Sequence, residues 1–280
     1  IGPIPIVDGV GKEVITQMTA NMVRDHRDDW PLQVNEPVAG NYYPLNLGIY
    51  IKDKKSELSV LVDRATGGGS IKDGQVELML HRCILFDDGR GVNEGLHEQV
   101  CQNDRCQGLT LRGNYYVGIH NLGAGSRWRR TTGQEVYSPL LLAFAHENLG
   151  NWKAFHVTKG TVIDPNYSLP LNVALITLEE LDDGTVLLRL AHLYEPGEDA
   201  QLSTLTKVEL KKMFATKTIK QLIEVSLSAN QEKSKMKKKT WNVAGEKGQE
   251  SKAVRGGPVN NVNLVVELGP MEIRTFLLKF

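Results

Sequence analysis

Hydrophobic and polar positions alternate over short stretches of this chain, and the pattern is clearest in two places. After the glycines Gly67, Gly68 and Gly69, read as a turn, comes a segment with Val76, Leu78 and Leu80 on one face and Glu77, Met79 and His81 on the other. That two-residue period predicts a half-buried strand. A polar turn carrying Asp87, Asp88 and Arg90 follows, and glycines at 67–69, 74, 89 and 91 mark backbone that a side chain would resist. The second place is 173–181 and 185–194, two runs rich in Val, Ile and Leu joined by Asp182-Asp183-Gly184. Asp-Gly between apolar runs is a strong local hairpin signal, and the apolar density puts both runs centrally in a sheet.

Elsewhere the pattern is coarser. Residues 4–7 and 13–16 read as short strands around a turn at 8–11, and the charged run 24–31 passes abruptly into an irregular stretch at 31–41. Residues 47–51 and 58–62 pair as a hairpin across 53–55, 92–107 are polar without a clear period, and 109–119 resume strand character. Residues 138–147 fit helix or strand, 148–153 a turn, 208–214 one or two helical turns, 218–227 a strand and 244–261 a long exposed loop. The chain closes on strands at 264–268 and 271–280, where Ile273, Thr275, Leu277 and Lys279 oppose Arg274, Phe276 and Leu278. Many short strands, few helical stretches and no βαβ rhythm predict a mainly β protein of the antiparallel β-sandwich class.

Composition narrows the function classes. The 280 residues carry 33 Lys and Arg against 33 Asp and Glu, so no basic excess points to nucleic acid. No apolar run is long enough to span a bilayer. A start at Ile1 without a basic and apolar leader fits a processed product or a fragment of a longer precursor. The lysines crowded at 233–239 read as a solvated rim, since no interleaved aromatics or other basic surplus supports a binding patch. Of three cysteines, Cys101 and Cys106 bracket four residues, a spacing that suits either a small disulfide loop or two free thiols. Cys83, in the predicted strand, reads as a buried small hydrophobe.

The residues alone assemble no complete active site. Asp87 and Asp88 are adjacent, which suits turn capping better than a pair of carboxyls set across a sugar. Arg82 and Arg90 suit ion pairs that hold this turn, or an anion. The seven histidines form no H-x-H or H-E-x-x-H pattern, His81 and His192 read as structural, and no Gly-x-Ser-x-Gly elbow is present. The triple glycine lacks the lysine and following helix of a phosphate loop. Asn166-Tyr167-Ser168 is a glycan acceptor if the chain enters the secretory route.

Taken together, particular runs resemble the C-terminal half of lysosomal or vacuolar α-mannosidases of glycoside hydrolase family 38. They are Gly40-Asn41-Tyr42-Tyr43-Pro44, Asp63-Arg64-Ala65, Gly74-Gln75-Val76-Glu77-Leu78-Met79-Leu80-His81-Arg82, Asp87-Asp88-Gly89-Arg90-Gly91 and Leu268-Gly269-Pro270-Met271-Glu272-Ile273-Arg274-Thr275-Phe276. The resemblance covers nearly the whole chain in family order, and 161–210 look most like plant vacuolar members. It implies a supersandwich-like C-terminal β region of a zinc-dependent retaining exo-α-mannosidase that removes terminal α-mannose from N-glycans. Zinc, nucleophile and acid/base would belong to an N-terminal partner chain of the same precursor, so this chain would hold no catalytic residue and no metal. The processed pair is expected as a dimer of heterodimers in the vacuole or lysosome lumen. Residues 1–23 would complete a region shared with the partner, 24–230 form a large β-sandwich, and 231–280 close it.

The resemblance further implies a substrate-proximal supporting role for His81, Arg82, Asp88 and Arg90, a Cys101–Cys106 disulfide and a glycan on Asn166. Two departures stand out. Cys83 occupies a position where family members carry a second arginine, and a Tyr-x-Asp-Ser-Asn-Gly-like segment is missing between Asn21 and Arg24. The competing expectation is a carbohydrate-binding β-sandwich module without catalysis, and behind it a β-rich interaction protein with no link to sugar.

Overall fold

The computed structural model describes residues 6–10 (backbone), 38, 42–71, 74–87, 89–91, 93–144, 146, 149–156, 160–237, 254–259 and 261–280. The expected strand at 13–16, the charged run 24–31, Asp88, Lys238, Lys239 and most of the 244–261 loop lie outside the described residues. Two compact units emerge, one within Ile4–Pro139 and one within Leu140–Phe280.

The Ile4–Pro139 unit contains β1 (Ile6–Val10), β2 (Tyr42–Leu45), β3 (Gly48–Lys52), β4 (Ser56–Val62), β5 (Thr66–Gly69), β6 (Glu77–Leu78), β7 (Gln99–Gln102), β8 (Arg105–Gly108), β9 (Tyr115–Asn121) and helix α1 (Gly125–Tyr137). One sheet runs β1-β3-β4-β9, with β1 parallel to β3 and the other pairs antiparallel. The β3–β4 turn is fixed by Asp53, whose Oδ1 accepts the N–H groups of Lys55 and Ser56, both at 2.7 Å. Those two donors hold its carboxyl below the ordinary value. A second sheet runs β2-β5-β6. The triple glycine is therefore strand rather than turn. It lies between β2 and β6, and a Cβ on Gly68 would come 2.5 Å from Leu45 Cδ1 and 2.9 Å from the Glu77 carbonyl.

Three further expectations are corrected in this unit. The alternating strand shrinks to Glu77–Leu78, and Leu80 and His81 lie beyond it, exposed. The unpatterned stretch 92–107 holds the β7–β8 hairpin, while β9 begins only at Tyr115. Helix α1 went unread because its inward face is Gly125, Ser126, Arg129, Arg130 and Gly133, which carries no apolar period.

The Leu140–Phe280 unit holds α2 (Leu149–Phe155), β10 (Val173–Glu180), β11 (Val186–His192), β12 (Thr206–Glu209), α3 (Leu210–Met213), β13 (Gln221–Val225), β14 (Val265–Leu268) and β15 (Ile273–Lys279). An antiparallel sheet of order β10-β11-β15-β13 faces the antiparallel pair β12-β14. Leu188, Leu190, Phe276 and Leu278 from the first layer meet Val208, Val266 and Leu268 from the second in one buried core. This is the sandwich-like arrangement the alternation predicted, with Arg274, Phe276 and Leu278 inward. The 182–184 hairpin turn forms as read: Gly184 takes φ +76°, and Asp183 accepts the Thr185 N–H at 2.9 Å. Of its two strands only β11 is central, while β10 is the edge of this sheet. Residues 208–214 divide between the end of β12 and α3, 138–144 take neither helix nor strand, and the predicted turn at 148–153 falls largely in α2.

Candidate functional site

The β5–β6 ladder continues for one residue past Leu78, since Met79 N–H donates to the Gly67 carbonyl at 2.8 Å and Thr66 Oγ1 donates to the Met79 carbonyl. From that root the chain leaves the sheet, and His81 and Arg82 project beside an open cavity of about 680 Å³. Tyr42, Arg64, Met79 and Glu98 also contribute to its walls. Tyr42 donates its hydroxyl proton to Glu77 Oε2 at 2.6 Å, and that bond to a carboxylate raises the phenol above its ordinary value. The site therefore offers a cation, an imidazole and a carboxylate-braced phenol on one rim, which suits a polyhydroxylated ligand or an anion.

The structure brings His81 and Arg82 together on this cavity, whereas Arg90 is exposed and is not among its wall residues. Asp88 lies outside the described residues. Its neighbour Asp87 does the capping work expected of this turn, accepting the Gly89 N–H at 2.7 Å. Cys83 is corrected: it is exposed, outside any strand, with its sulfur 3.3 Å from His97 Nδ1. Cys101 and Cys106 sit directly opposite each other on β7 and β8 and form a disulfide. The acceptor Asn166 is exposed in a turn where its N–H donates to Asp164 Oδ1 at 2.8 Å, while Tyr167 turns inward and its hydroxyl accepts the Glu209 N–H. His192 is buried, and its Nε2–H donates to the Thr204 carbonyl at 3.0 Å, a structural role.

Sequence reading missed two buried charge clusters. In one, Arg129 of α1 donates to Glu57 Oε2 at 2.9 Å and to Ser59 Oγ at 3.1 Å, and stacks over Tyr50 with its guanidinium 3.5 Å from the ring centre. Gly125 is the signal that could have found it, because a Cβ there would sit 2.1 Å from Glu57 Oε2. In the other, Arg274 forks onto Glu224 at 2.8 and 2.6 Å and donates to the carbonyls of Gly257 and Glu267, both at 2.9 Å. Lys233 adds a third donor to Glu224 at 2.6 Å and Lys235 pairs with Glu232 at 2.9 Å, so two lysines of the 233–239 cluster are ion-paired. Burial alone would raise the Glu224 carboxyl, but the bonds from Arg274 and Lys233 outweigh it and hold it below the ordinary value.

Two family models match the chain. Residues 14–90 match the glycosyl hydrolases family 38 C-terminal domain, and residues 172–276 match the glycosyl hydrolases family 38 C-terminal beta sandwich domain. The chain belongs to glycosyl hydrolases family 38. It is 69% identical over 300 residues to an alpha-mannosidase of Canavalia ensiformis, which covers 100% of this chain and 31% of the relative. Against an alpha-mannosidase of Arabidopsis thaliana the identity is 55% over 300 residues, covering 100% and 29%. Against the lysosomal alpha-mannosidase of Homo sapiens it is 36% over 303 residues, covering 99% and 28%. This family 38 C-terminal region thus spans about 30% of the length of the relatives it matches. The alignment to the Canavalia protein runs 300 positions against 280 residues here, so at least 20 positions of that relative have no counterpart in this chain.

Proposed function

We propose that this chain is the C-terminal subunit of a zinc-dependent retaining exo-α-mannosidase that trims terminal α-mannose from N-glycans in the lysosome or vacuole lumen. The observation that carries the reading is 69% identity to a named alpha-mannosidase along the entire chain. The catalytic carboxylates and the zinc site belong to the N-terminal chain. Among the described residues no three His, Cys, Asp or Glu side chains come together as a metal-ligating group, in keeping with a zinc site in the other chain. Its own part is to carry the supersandwich-like β region and the edge of the cleft. His81 and Arg82 face sugar hydroxyls from the rim of the 680 Å³ cavity, and Asp88 and Arg90 take the same substrate-proximal supporting role. Residues 1–23 complete a region shared with the partner, 24–230 and 231–280 make up the rest, and the processed pairs dimerise. The missing Tyr-x-Asp-Ser-Asn-Gly-like segment belongs between Asn21 and Arg24.

The test is reconstitution. This chain alone gives no turnover of an aryl α-mannoside, and adding the N-terminal chain restores it; turnover by this chain alone would overturn the division of labour. Arg82→Ala in the assembled enzyme raises KM about tenfold, as expected for loss of one charge-assisted hydrogen bond to substrate. An unchanged KM removes Arg82 from the cleft. Deglycosylation lowers the intact mass by one glycan at Asn166, and an unchanged mass removes that site. The second reading, a carbohydrate-binding module, draws on the same cavity and requires mannoside binding by this chain alone in calorimetry.

A further inference from the structure

Between the end of β6 and the start of β9 the chain makes a long excursion, residues 79–114. None of its described residues is buried, and all of them but Asp87 and Leu96 are exposed. The excursion is nevertheless ordered from root to tip. Met79 is bonded to Gly67, Ile84 and Leu96 exchange two backbone hydrogen bonds at 2.9 and 2.7 Å, and Asn114 N–H returns to Asp63 Oδ2 at 2.7 Å. The disulfide Cys101–Cys106 closes its hairpin. It is also apolar. Phe86 is 84% exposed, Leu80 and Leu85 are each 60% exposed, and Ile84, Leu109 and Leu111 stand out beside them. A segment with no buried side chain gains little hydrophobic free energy against the entropy of its own ordering, and a patch of this kind marks a surface that another surface covers.

We propose that residues 79–114 form a docking arm for the N-terminal catalytic part of the enzyme, with Leu80, Leu85 and Phe86 as its apolar anchors. The occupant follows from length: the relatives carry about 70% of their sequence outside the region this chain matches, and that remainder must be joined to it. Their apolar side chains sit on the same excursion that puts His81 and Arg82 on the cavity, so docking the arm sets the cleft edge as it closes the interface. This inference rests on the mannosidase reading.

Hydroxyl-radical footprinting of the assembled enzyme tests it without any substitution. The expected result is that Leu80, Leu85 and Phe86 label at least about tenfold less than Leu171, a leucine of the other unit that is 84% exposed, as full desolvation at an interface core requires. Labelling equal to Leu171 in an enzyme that turns over α-mannoside overturns the arm and leaves the mannosidase reading intact. Absence of any partner and any turnover overturns the reading itself. Protection that appears in this chain alone and grows with its concentration assigns the surface to a second copy and also overturns the proposal. Phe86→Asp weakens association of the two processed chains by about 30-fold, and Phe86→Leu leaves it near wild type. Wild-type association with Phe86→Asp removes Phe86 as an anchor.

Discussion

In the Leu140–Phe280 unit, Leu188, Leu190, Phe276 and Leu278 are completely removed from water, whereas in the 79–114 arm Leu80, Leu85 and Phe86 stand mostly in it. The two regions draw on the same residue types. What separates them is a second layer. The four-stranded sheet of the C-terminal unit has the β12–β14 pair across from it, so Leu188, Leu190, Phe276 and Leu278 find apolar partners in Val208, Val266 and Leu268. The arm has a two-stranded hairpin and the isolated bridge Ile84–Leu96, and a lone hairpin has no second layer against which to bury a face. One region is stabilised by its own packing and the other by its root, its disulfide and whatever covers it.

The sharpest way to break this contrast is to remove a core ring. Phe276→Ala should cost about 3–5 kcal/mol in urea unfolding, because the site is fully enclosed and the cavity cannot collapse between two layers. A loss under about 1 kcal/mol would mean that the two layers are not rigidly packed. Next in size is Arg274→Met, expected to cost about 3 kcal/mol. It leaves Glu224 paired with Lys233 and strips the Gly257 and Glu267 carbonyls of a donor. Arg274→Lys should recover only part of the loss, since a single ammonium cannot reproduce the fork and both carbonyl contacts.

The arm answers to a different change. Replacing Cys101 and Cys106 with serine should cost the arm about 2 kcal/mol from loop-closure entropy of so short a loop. Amide exchange should rise across β7 and β8 and stay unchanged in β11 and β15. Faster exchange in both regions would show that the arm supports the C-terminal core, and the contrast would fail.

Legibility in the sequence follows the same division. Where burial repeats with the period of a strand, the chain announced itself: Asp182-Asp183-Gly184 is a hairpin turn, and Arg274, Phe276 and Leu278 point inward. Where the buried face is polar, it stayed silent. Helix α1 packs with Arg129 on Glu57 and Gly125 against the same carboxylate, so its helical period is carried by glycine and arginine. Gly67–Gly69 misled in the opposite sense, since the crowding of β2 and β6 around β5 requires small residues in a strand, where glycine usually signals a turn. Of the candidate site, His81 and Arg82 lie on one cavity, but of the apolar anchors beside them only Leu80 falls within the alternation, on a strand face that ends at Leu78, and Leu85 and Phe86 carry no period. Alternation at 76–80 is genuine in the residues, and Val76 and Leu78 pack against Tyr43, Leu45, Ile49 and Val60, but Leu80 lies past the end of β6 and is exposed.

Acid should act on the C-terminal unit in a direction that Glu224 fixes. Its carboxyl is held below the ordinary 4.5, with burial opposing and the Arg274 and Lys233 bonds prevailing. A group lowered on folding adds stability above its unfolded value and loses it as pH falls through 4.5 toward the lower folded value. Urea midpoints measured downward from neutrality should therefore hold until that range and then drop, and Glu224→Gln should flatten the drop. An unchanged acid limb in Glu224→Gln would move the effect to other carboxylates, such as Asp183 and Glu267, which are lowered by backbone donors.

The smallest expected effect is the most discriminating. Phe86→Ala in this chain alone should change unfolding free energy by no more than about 0.5 kcal/mol, because a ring that is already in water loses no burial when it is removed. Set beside Phe276→Ala, the pair compares one residue type in both regions and varies only what lies over the ring. A loss of several kcal/mol at Phe86 would mean that the ring is covered within this chain, and the arm would then be packed structure like the C-terminal core. A negligible loss in the chain alone, together with weakened association in the assembled enzyme for Phe86→Asp, places the value of that ring at an interface, where a side chain contributes only when its partner arrives.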